Sequence, residues 1–406
     1  MTLRSTTTAD VRILTETDDI ARASTLFRTA MVGFPLSAGG DVTELHEHGR
    51  TLGAFIDGEL VGTAEAYSSW LTVPGGARVP HAAVTHIGVL PTHTRSGLLT
   101  TMMRRQLADI AARGEVVASL RASEAVIYER FGYAIASRAA SFELARRRAQ
   151  FRENLGDSGP VRLVDQVNAR KLLPDIYDNV AWTGSIDRPA YWWNQRQLSA
   201  STATGPSHLA VHGTSGAEDG FVSYHPLNTA EWFGSRDRTV VVDDFVAISE
   251  RAYLGLTRHL AALDLIDTVR LPLRPVDDPL QFLFTDARSA RVTGVRDETW
   301  LRLIDVLAAL QMRTYRPAGP LVLGISDDLL PANSGTYRID AAGVRRSGEP
   351  ADISTDVASL ASAYLGGVRW RALSTAGRVL EHRPGALAAA DELFATVTEP
   401  FSGTSF

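Results

Sequence analysis

The sequence predicts a mixed α/β protein of two or three domains, and three observations carry that reading. A chain of 406 residues is long enough for several separate cores. The stretch 84–107 reads as a strand, a short loop at Pro91, a turn ending at Gly97 and an amphipathic helix. The order strand, helix, strand then recurs at 239–248, 250–263 and 268–273.

Taken in order, 11–14 is a short strand. Thr17 is placed to cap a helix whose face carries Ile20, Ala23, Phe27 and Ala30. Apolar runs at 52–56 and 60–66 flank Asp57-Gly58, a strong hairpin signal. Runs at 70–73 and 78–89 flank Pro74-Gly75-Gly76 in the same way. The β-branched residues Val84, Thr85, Ile87 and Val89 mark a strand. Leu99, Met103, Leu107 and Ile110 share one helical face, and Gly114 closes that helix. A strand at 116–120, a short helix capped by Ser123 and closing strands within 133–144 complete a first domain, 1–150. Arg146, Arg147 and Arg148, with the polar run 152–160, read as a solvated linker.

The second domain, 151–298, holds Trp192 and Trp193 in a helix after Pro189, a hairpin of 208–212 with 220–225, and the repeated strand–helix–strand unit. Its strand-to-helix junction, 245–251, has no glycine, so side chains stand where an anion would have to approach backbone. The third domain, 299–406, is predicted to hold a helix at 300–312, strands at 321–325 and 336–339, a helix at 356–364, and a terminal helix at 384–397 with Pro384 near its start. Residues 399–406 read as a disordered tail.

Composition excludes some functions. The net charge of −5 argues against general nucleic-acid binding and leaves room for acidic pockets that suit cations. The absence of cysteine removes disulfides, thiolate metal sites and an acyl-cysteine intermediate. No apolar leader opens the chain and no run of 18 apolar residues occurs, so a cytoplasmic protein without a membrane span is expected. The ten histidines show no metal-ligand spacing, and no metal is predicted.

Chemistry concentrates in two places. A strand feeding a glycine turn at a helix start presents outward N–H groups and the positive end of the helix dipole, which is an anion site. The second place is the short helix ending at Tyr128. A phenol, with an ordinary pKa near 10, is a credible proton donor. The same tyrosine could equally be a packing residue. His86 and His93 flank the site as possible bases, but neither has a partner carboxylate at a readable spacing.

The turn Thr94-Arg-Ser-Gly-Leu-Leu99 resembles the Q/R-x-x-G-x-G/A cofactor signature of the GNAT superfamily of N-acetyltransferases, with Thr94 and Leu99 departing from it. Ser123-Glu-Ala-Val-Ile-Tyr-Glu-Arg-Phe-Gly-Tyr133 resembles a segment that follows the fifth strand in such enzymes. Together with Ile87-Gly-Val-Leu-Pro-Thr-His93, Phe282-Leu-Phe-Thr-Asp-Ala-Arg288, 297–310 and Tyr364-Leu-Gly-Gly367, the chain resembles, along nearly its whole length, the enhanced intracellular survival (Eis) family of bacterial aminoglycoside and lysine N-acetyltransferases.

That resemblance implies two fused GNAT folds, the second without a cofactor site, followed by a domain like a sterol carrier protein. It implies acetyl-CoA as cosubstrate and assembly as a homohexamer. Ile87, Gly88 and Val89 would hold the pantetheine arm. Arg95, Ser96, Gly97, Leu98, Leu99 and Thr100 would bind the pyrophosphate, with Ser123 and Glu124 near the other flank. Tyr128 would be the general acid and the carboxylate of Phe406 the general base. The acceptor would be an amine of an aminoglycoside, a polyamine or a lysine side chain. The penultimate residue is Ser405, where members of the family often have an acidic one. A second reading, from a different class, is a lipid- or sterol-binding protein that uses the last domain, with the acetyltransferase folds as scaffold.

Overall fold

A computed structural model describes residues 9–34, 40–202 and 205–406, the side chains of 198–202 excepted. The N-terminal stretch 1–8, on which the leader expectation rests, lies outside the described residues. The first sheet begins with β1 (Asp10–Ile13), β2 (Thr51–Ile56), β3 (Glu59–Thr72), β4 (Arg78–Val89) and β5 (Val117–Leu120), side by side in that order. The hairpin at Asp57-Gly58 forms with both residues left-handed, at φ +50° and +86°, as a type I′ turn requires. β3 runs unbroken through the two pieces read at 60–66 and 70–73.

Side chains alternate across this sheet, and helices cover both faces. On one face α1 (Thr17–Ala30) sits so close to β4 that a Cβ at Gly88 would meet the Ala30 Cβ at 3.1 Å. On the other face α3 (Leu98–Ala112) packs Met103, Leu107 and Ile110 against Ala66, Ala82 and Val84. Gly114, at φ +75°, ends α3 as predicted. Two expected caps fail. Glu16 precedes α1 and Glu124 precedes α4 (Ala125–Tyr128), neither with a side-chain cap bond, so Thr17 is already inside its helix and Ser123 lies one residue too early.

The two following strands part company. β6 (Ala134–Ile135) stays with the first sheet, but β7 (Arg138–Ala145), expected to close that sheet, enters the second. The second sheet then takes β8 (Val161–Leu163), β9 (His208–Thr214), β10 (Ala217–Pro226), β11 (Thr239–Ala247), β12 (Thr268–Pro275) and β13 (Ala290–Asp297), in the order β13-β7-β12-β11-β10-β9-β8. Its helices are α5 (Gln166–Tyr177), α6 (Ala190–Thr202) and α7 (Glu250–Ala262). β14 (Trp300–Leu303) returns to the first sheet and wedges between β5 and β6.

That return corrects the helix expected at 300–312. Trp300, Leu301, Arg302 and Leu303 are all buried, the signature of a central strand covered on both faces. The helix starts only at α8 (Val306–Met312), capped by Asp305 accepting from the Ala308 N–H. The third sheet joins β15 (Leu321–Ser326), β16 (Gly335–Asp340), β17 (Gly343–Ser347), β18 (Ile353–Asp356) and β19 (Val379–Glu381). α9 (Val357–Tyr364) is buried at every residue and forms the centre of this domain. α10 (Trp370–Thr375) and α11 (Ala386–Phe394) complete it, with Gly385 rather than Pro384 preceding the last helix. Among the described residues no helix is long and apolar enough to cross a membrane.

Candidate active site

β4 and β5 are parallel neighbours over a short stretch only, His81–Ala83 against Val117–Ser119. β5 ends at Leu120 while β4 continues to Val89. The edge of β4 from Val84 onward, including Ile87, Gly88 and Val89, therefore faces a wedge with no strand in it. Its other edge is occupied by β3.

The wedge opens towards the turn that precedes α3. Arg95 and Gly97 both have left-handed backbone, at φ +61° and +86°, and Thr94, Arg95, Ser96 and Gly97 are exposed. Among the described residues no hydrogen bond engages the N–H groups of Arg95, Ser96, Gly97, Leu98, Leu99 or Thr100. A Cβ built on Gly97 meets nothing within 4 Å, so the room beside it is open. Free N–H groups in a left-handed turn at the start of a 15-residue helix form an anion cradle. The donor set fits a pyrophosphate.

The corresponding junction of the second sheet differs: it carries its own side-chain cap. Ser249 caps α7 with a hydrogen bond from the Ala252 N–H. The Asp219 carboxylate accepts from the Ser249 hydroxyl at 2.5 Å and stands 2.5 Å from His212 Nδ1. The start of α7 is thus capped from within, by a serine whose own hydroxyl is held by Asp219.

Tyr128 ends α4 on the far side of the wedge and is 5 % exposed. Burial pushes its phenol up from 10, with the Ser123 side chain working in the opposite direction. It stays protonated throughout the neutral range. Ser123 and Glu124 are exposed beside it.

The tail expected to be disordered is buried. Phe401, Ser402 and Thr404 are nearly inaccessible. Ser402 and Gly403 donate backbone N–H groups to Glu298, and Trp192 Nε1 donates to the Ser405 carbonyl at 2.8 Å. Arg121, at the end of β5, donates to the Thr404 carbonyl at 2.5 Å. The Phe406 ring reaches Tyr67 of β3 at 5.8 Å between centroids. The tail therefore lies beside the end of β5 and against the face of β3 that carries Tyr67.

A cluster invisible in the sequence lies on that same face. The Glu65 side chain is 4 % exposed. His46 Nδ1 stands 2.9 Å from both of its oxygens and His86 Nδ1 2.6 Å from one. Burial alone would raise the Glu65 carboxyl, but the charge and hydrogen bonds of His86 and His46 outweigh it and bring it down to about 2. His86 thus has the carboxylate partner that spacing failed to reveal. The one available signal was an acidic residue inside the apolar run 60–67. His93 lies in the exposed turn beside Thr92, away from this cluster.

A cavity of about 690 Å³ lies elsewhere, in the second sheet's territory, against Leu173, Trp193, Leu209, Phe221, His225 and Asp244.

Comparison with known proteins decides the family. Residues 10–136 and 184–303 each match an acetyltransferase (GNAT) domain family, and 306–403 match a sterol carrier protein domain. N-acetyltransferase Eis of Mycobacterium tuberculosis is 32% identical over 361 residues, covering 85% of each chain. The crystal structure of Eis1 from Mycobacterium abscessus is 52% identical, with a TM-score of 0.92 over 98% of this chain and 100% of that one. The chain belongs to the Eis family. It is an N-acetyltransferase with two GNAT folds and a sterol-carrier-type domain, as the sequence led one to expect. An uncharacterized N-acetyltransferase of Streptomyces griseus is a further relative, 35% identical over 97% of this chain and 98% of its own length. A GCN5-related N-acetyltransferase from Anabaena variabilis shares the fold at 21% identity, with a TM-score of 0.84.

Proposed function

We propose that this Eis-family chain transfers the acetyl group of acetyl-CoA to a primary amine by direct attack. The observation that supports it most is the juxtaposition of three parts on one wedge: the free N–H cradle at Arg95–Thr100, the unpaired edge of β4, and buried Tyr128. The cradle binds the pyrophosphate. Backbone groups of Ile87, Gly88 and Val89 hold the pantetheine arm in an extended, strand-like course. Acetyl-CoA supplies the acyl group as an activated thioester.

Tyr128 donates its proton to the sulfur as the C–S bond breaks and the new N–C bond forms. With no cysteine in the chain, the amine attacks without an acyl-cysteine step. The Phe406 carboxylate draws in the ammonium and serves as base, a role that the packing of its ring against Tyr67 supports. The acceptor is an aminoglycoside, a polyamine or a lysine side chain. A homohexamer in the cytoplasm is the assembly and compartment that go with this reading, and light scattering measures the assembly.

The test is release of CoA thiol over a panel of such amines. Turnover that needs both acetyl-CoA and amine is the expected result. Tight acetyl-CoA binding with no thiol release for any amine would overturn it.

A further inference from the structure

The two large sheets correspond strand for strand. The first runs β1-β2-β3-β4-β5-β14-β6 and the second β8-β9-β10-β11-β12-β7-β13. In each, the fourth and fifth strands are parallel neighbours joined through one helix, α3 or α7. β11 thus stands where β4 stands, and α5, which follows β8, stands where α1 does.

The α7 face of the second sheet is closed, since a Cβ on Gly220 of β10 would meet the Ala252 Cβ at 3.0 Å. Successive residues of a strand face opposite ways. Phe221 therefore points to the other face, and its ring lies 6.4 Å from that of Trp193 on α6. The cavity of about 690 Å³ lies on this face, within the size range of small-molecule sites. Ala169, Leu173, Trp193, Leu209 and Phe221 are all buried and form its apolar floor. Gln166, Arg170, Arg196 and Asn228 are exposed around its mouth.

One wall is acidic, and a bulge makes it so. Ser223 pairs with Asp244 and Tyr224 with Val242, which leaves Asp243 as an extra residue in β11. Neighbouring strand residues ordinarily look to opposite faces, but here both Asp243 and Asp244 line the cavity. β4 is irregular at the matching place. Thr85 pairs with Glu65 and Gly88 with Thr63, so His86 and Ile87 together oppose Ala64. Both bulges fall close to the strand's end, at Val89 and at Ala247.

The two carboxylates differ in their partners. Arg188 grips Asp244 with two guanidinium nitrogens, at 2.6 and 3.2 Å. Among the described residues no guanidinium reaches the Asp243 carboxylate. His225 Nδ1 stands 2.9 Å from both of its oxygens, and Arg196 donates to the Asp243 backbone carbonyl instead. The Asp243 side chain is 30 % exposed, open to a solute in the cavity.

We propose that the second fold keeps the acceptor-side pocket of an acetyltransferase as a binding site for a small aromatic amine, with no transfer at it. The ring of the ligand packs on Trp193 and Phe221, where edge and offset contacts between rings are favourable. Its ammonium meets Asp243 at the bulge. A polyhydroxylated amine fits poorly, because its hydroxyls would lie unpaired on the apolar floor. The helix start beside β11 is capped by Ser249 and offers no cradle like that at Gly97, so the amine leaves unchanged. The site goes beyond the acetyl-transfer reading and does not depend on it.

The test is calorimetry with phenethylamine in the absence of acetyl-CoA. Saturable binding by the parent is expected. Asp243→Asn should weaken it by about 10–100-fold, the worth of a hydrogen bond to a charged group. Phenethyl alcohol, of the same shape without the charge, should bind the parent more weakly by a similar factor. Ser223→Trp places an indole in the cavity and should abolish binding. Both variants should bind acetyl-CoA as the parent does, which reports an intact fold, and if Ser223→Trp does not fold, Asp243→Asn decides. A short extension after Phe406 should leave phenethylamine binding unchanged. Binding that survives in both variants, or that only the extension removes, puts the amine in the first fold and overturns the proposal. So does a parent that binds no phenethylamine, or that binds the alcohol equally well. Because binding is read without turnover, a failure of thiol release sinks the acetyl-transfer reading and leaves this one standing.

Discussion

Arg188 donates from Nε to the hydroxyl of Thr404 at 3.0 Å, deep inside the protein, and so ties the tail to the second sheet's territory. The same guanidinium donates to the Gly403 carbonyl at 2.9 Å and pairs with Asp244 at 2.6 Å. The Thr404 hydroxyl also shares a hydrogen bond of 2.9 Å with Tyr177.

Thr404→Val keeps the shape of the tail and removes that hydroxyl. Two buried partners lose a hydrogen bond, at about 1–3 kcal/mol for each group left unsatisfied. The denaturation midpoint should fall, and carboxypeptidase should attack the tail faster. Turnover should drop while acetyl-CoA affinity holds. Unchanged protection of the tail would refute the anchoring argument.

A short extension placed after Phe406 moves the charge without touching an internal side chain. Acetyl transfer should fall steeply, with folding and acetyl-CoA affinity preserved. Normal turnover by the extended protein would remove Phe406 from the reaction.

Gly97→Leu should abolish acetyl-CoA binding. A leucine at φ +86° strains the backbone, by roughly 1–2 kcal/mol, and its side chain enters the open room beside the cradle. Ala247→Leu, before the self-capped α7, should bind acetyl-CoA as the parent does. Calorimetry with both variants checks the assignment, and loss of binding in the second alone would reverse it.

Tyr128→Phe should lower kcat by about 10²–10⁴-fold, with little change in the KM for acetyl-CoA. Burial raises the phenol's pKa from 10, so any alkaline loss of kcat due to Tyr128 should set in above that value. An unaltered kcat, with chemistry shown to limit the rate, would remove Tyr128 as the acid.

These residues show what a linear reading can reach. The anion turn and the Tyr128 helix were legible because each is a local pattern, a glycine or phenol at a fixed place beside a periodic run. β14 was not. Trp300-Leu-Arg-Leu303 is covered on both faces, and a short buried strand has no alternation to separate it from a helix. Glu65, His46 and His86 were equally hidden. They lie 19 and 21 residues apart, and only the folding of β3 against β4 and against the chain after the short helix α2 (Val42–Leu45) makes them neighbours. The tail looked disordered because its stability comes from Glu298, Arg121, Arg188 and Trp192, all distant in sequence.

Acid stability should carry a mark of His81. This residue lies in the short β4–β5 pairing, fully buried, with Nε2 2.8 Å from the Ser119 hydroxyl. Burial, with Arg50 adding to it, pushes the imidazole down to about 3. Below its ordinary pKa of about 6.5 the unfolded chain takes up a proton that the folded one refuses. Its contribution is therefore intact above pH 6.5 and is lost as pH falls towards 3, on the order of 5 kcal/mol in all. Denaturant midpoints of the parent should decline across that window more steeply than those of His81→Asn. Parallel declines would show that other groups dominate.

The placement of β14 between β5 and β6 has a consequence for synthesis. The sheet that carries the wedge is missing an interior strand until Leu303 has left the ribosome, 168 residues after Ile135. At about 5–20 residues per second, that is a wait of roughly 8–34 s. During it β5 and β6 have no partner on their facing edges, and Leu120 and Tyr128 lack the cover of Trp300. The nascent protein thus spends that interval as an open template for strand addition, and the N-terminal 150 residues expressed alone would stay in that state.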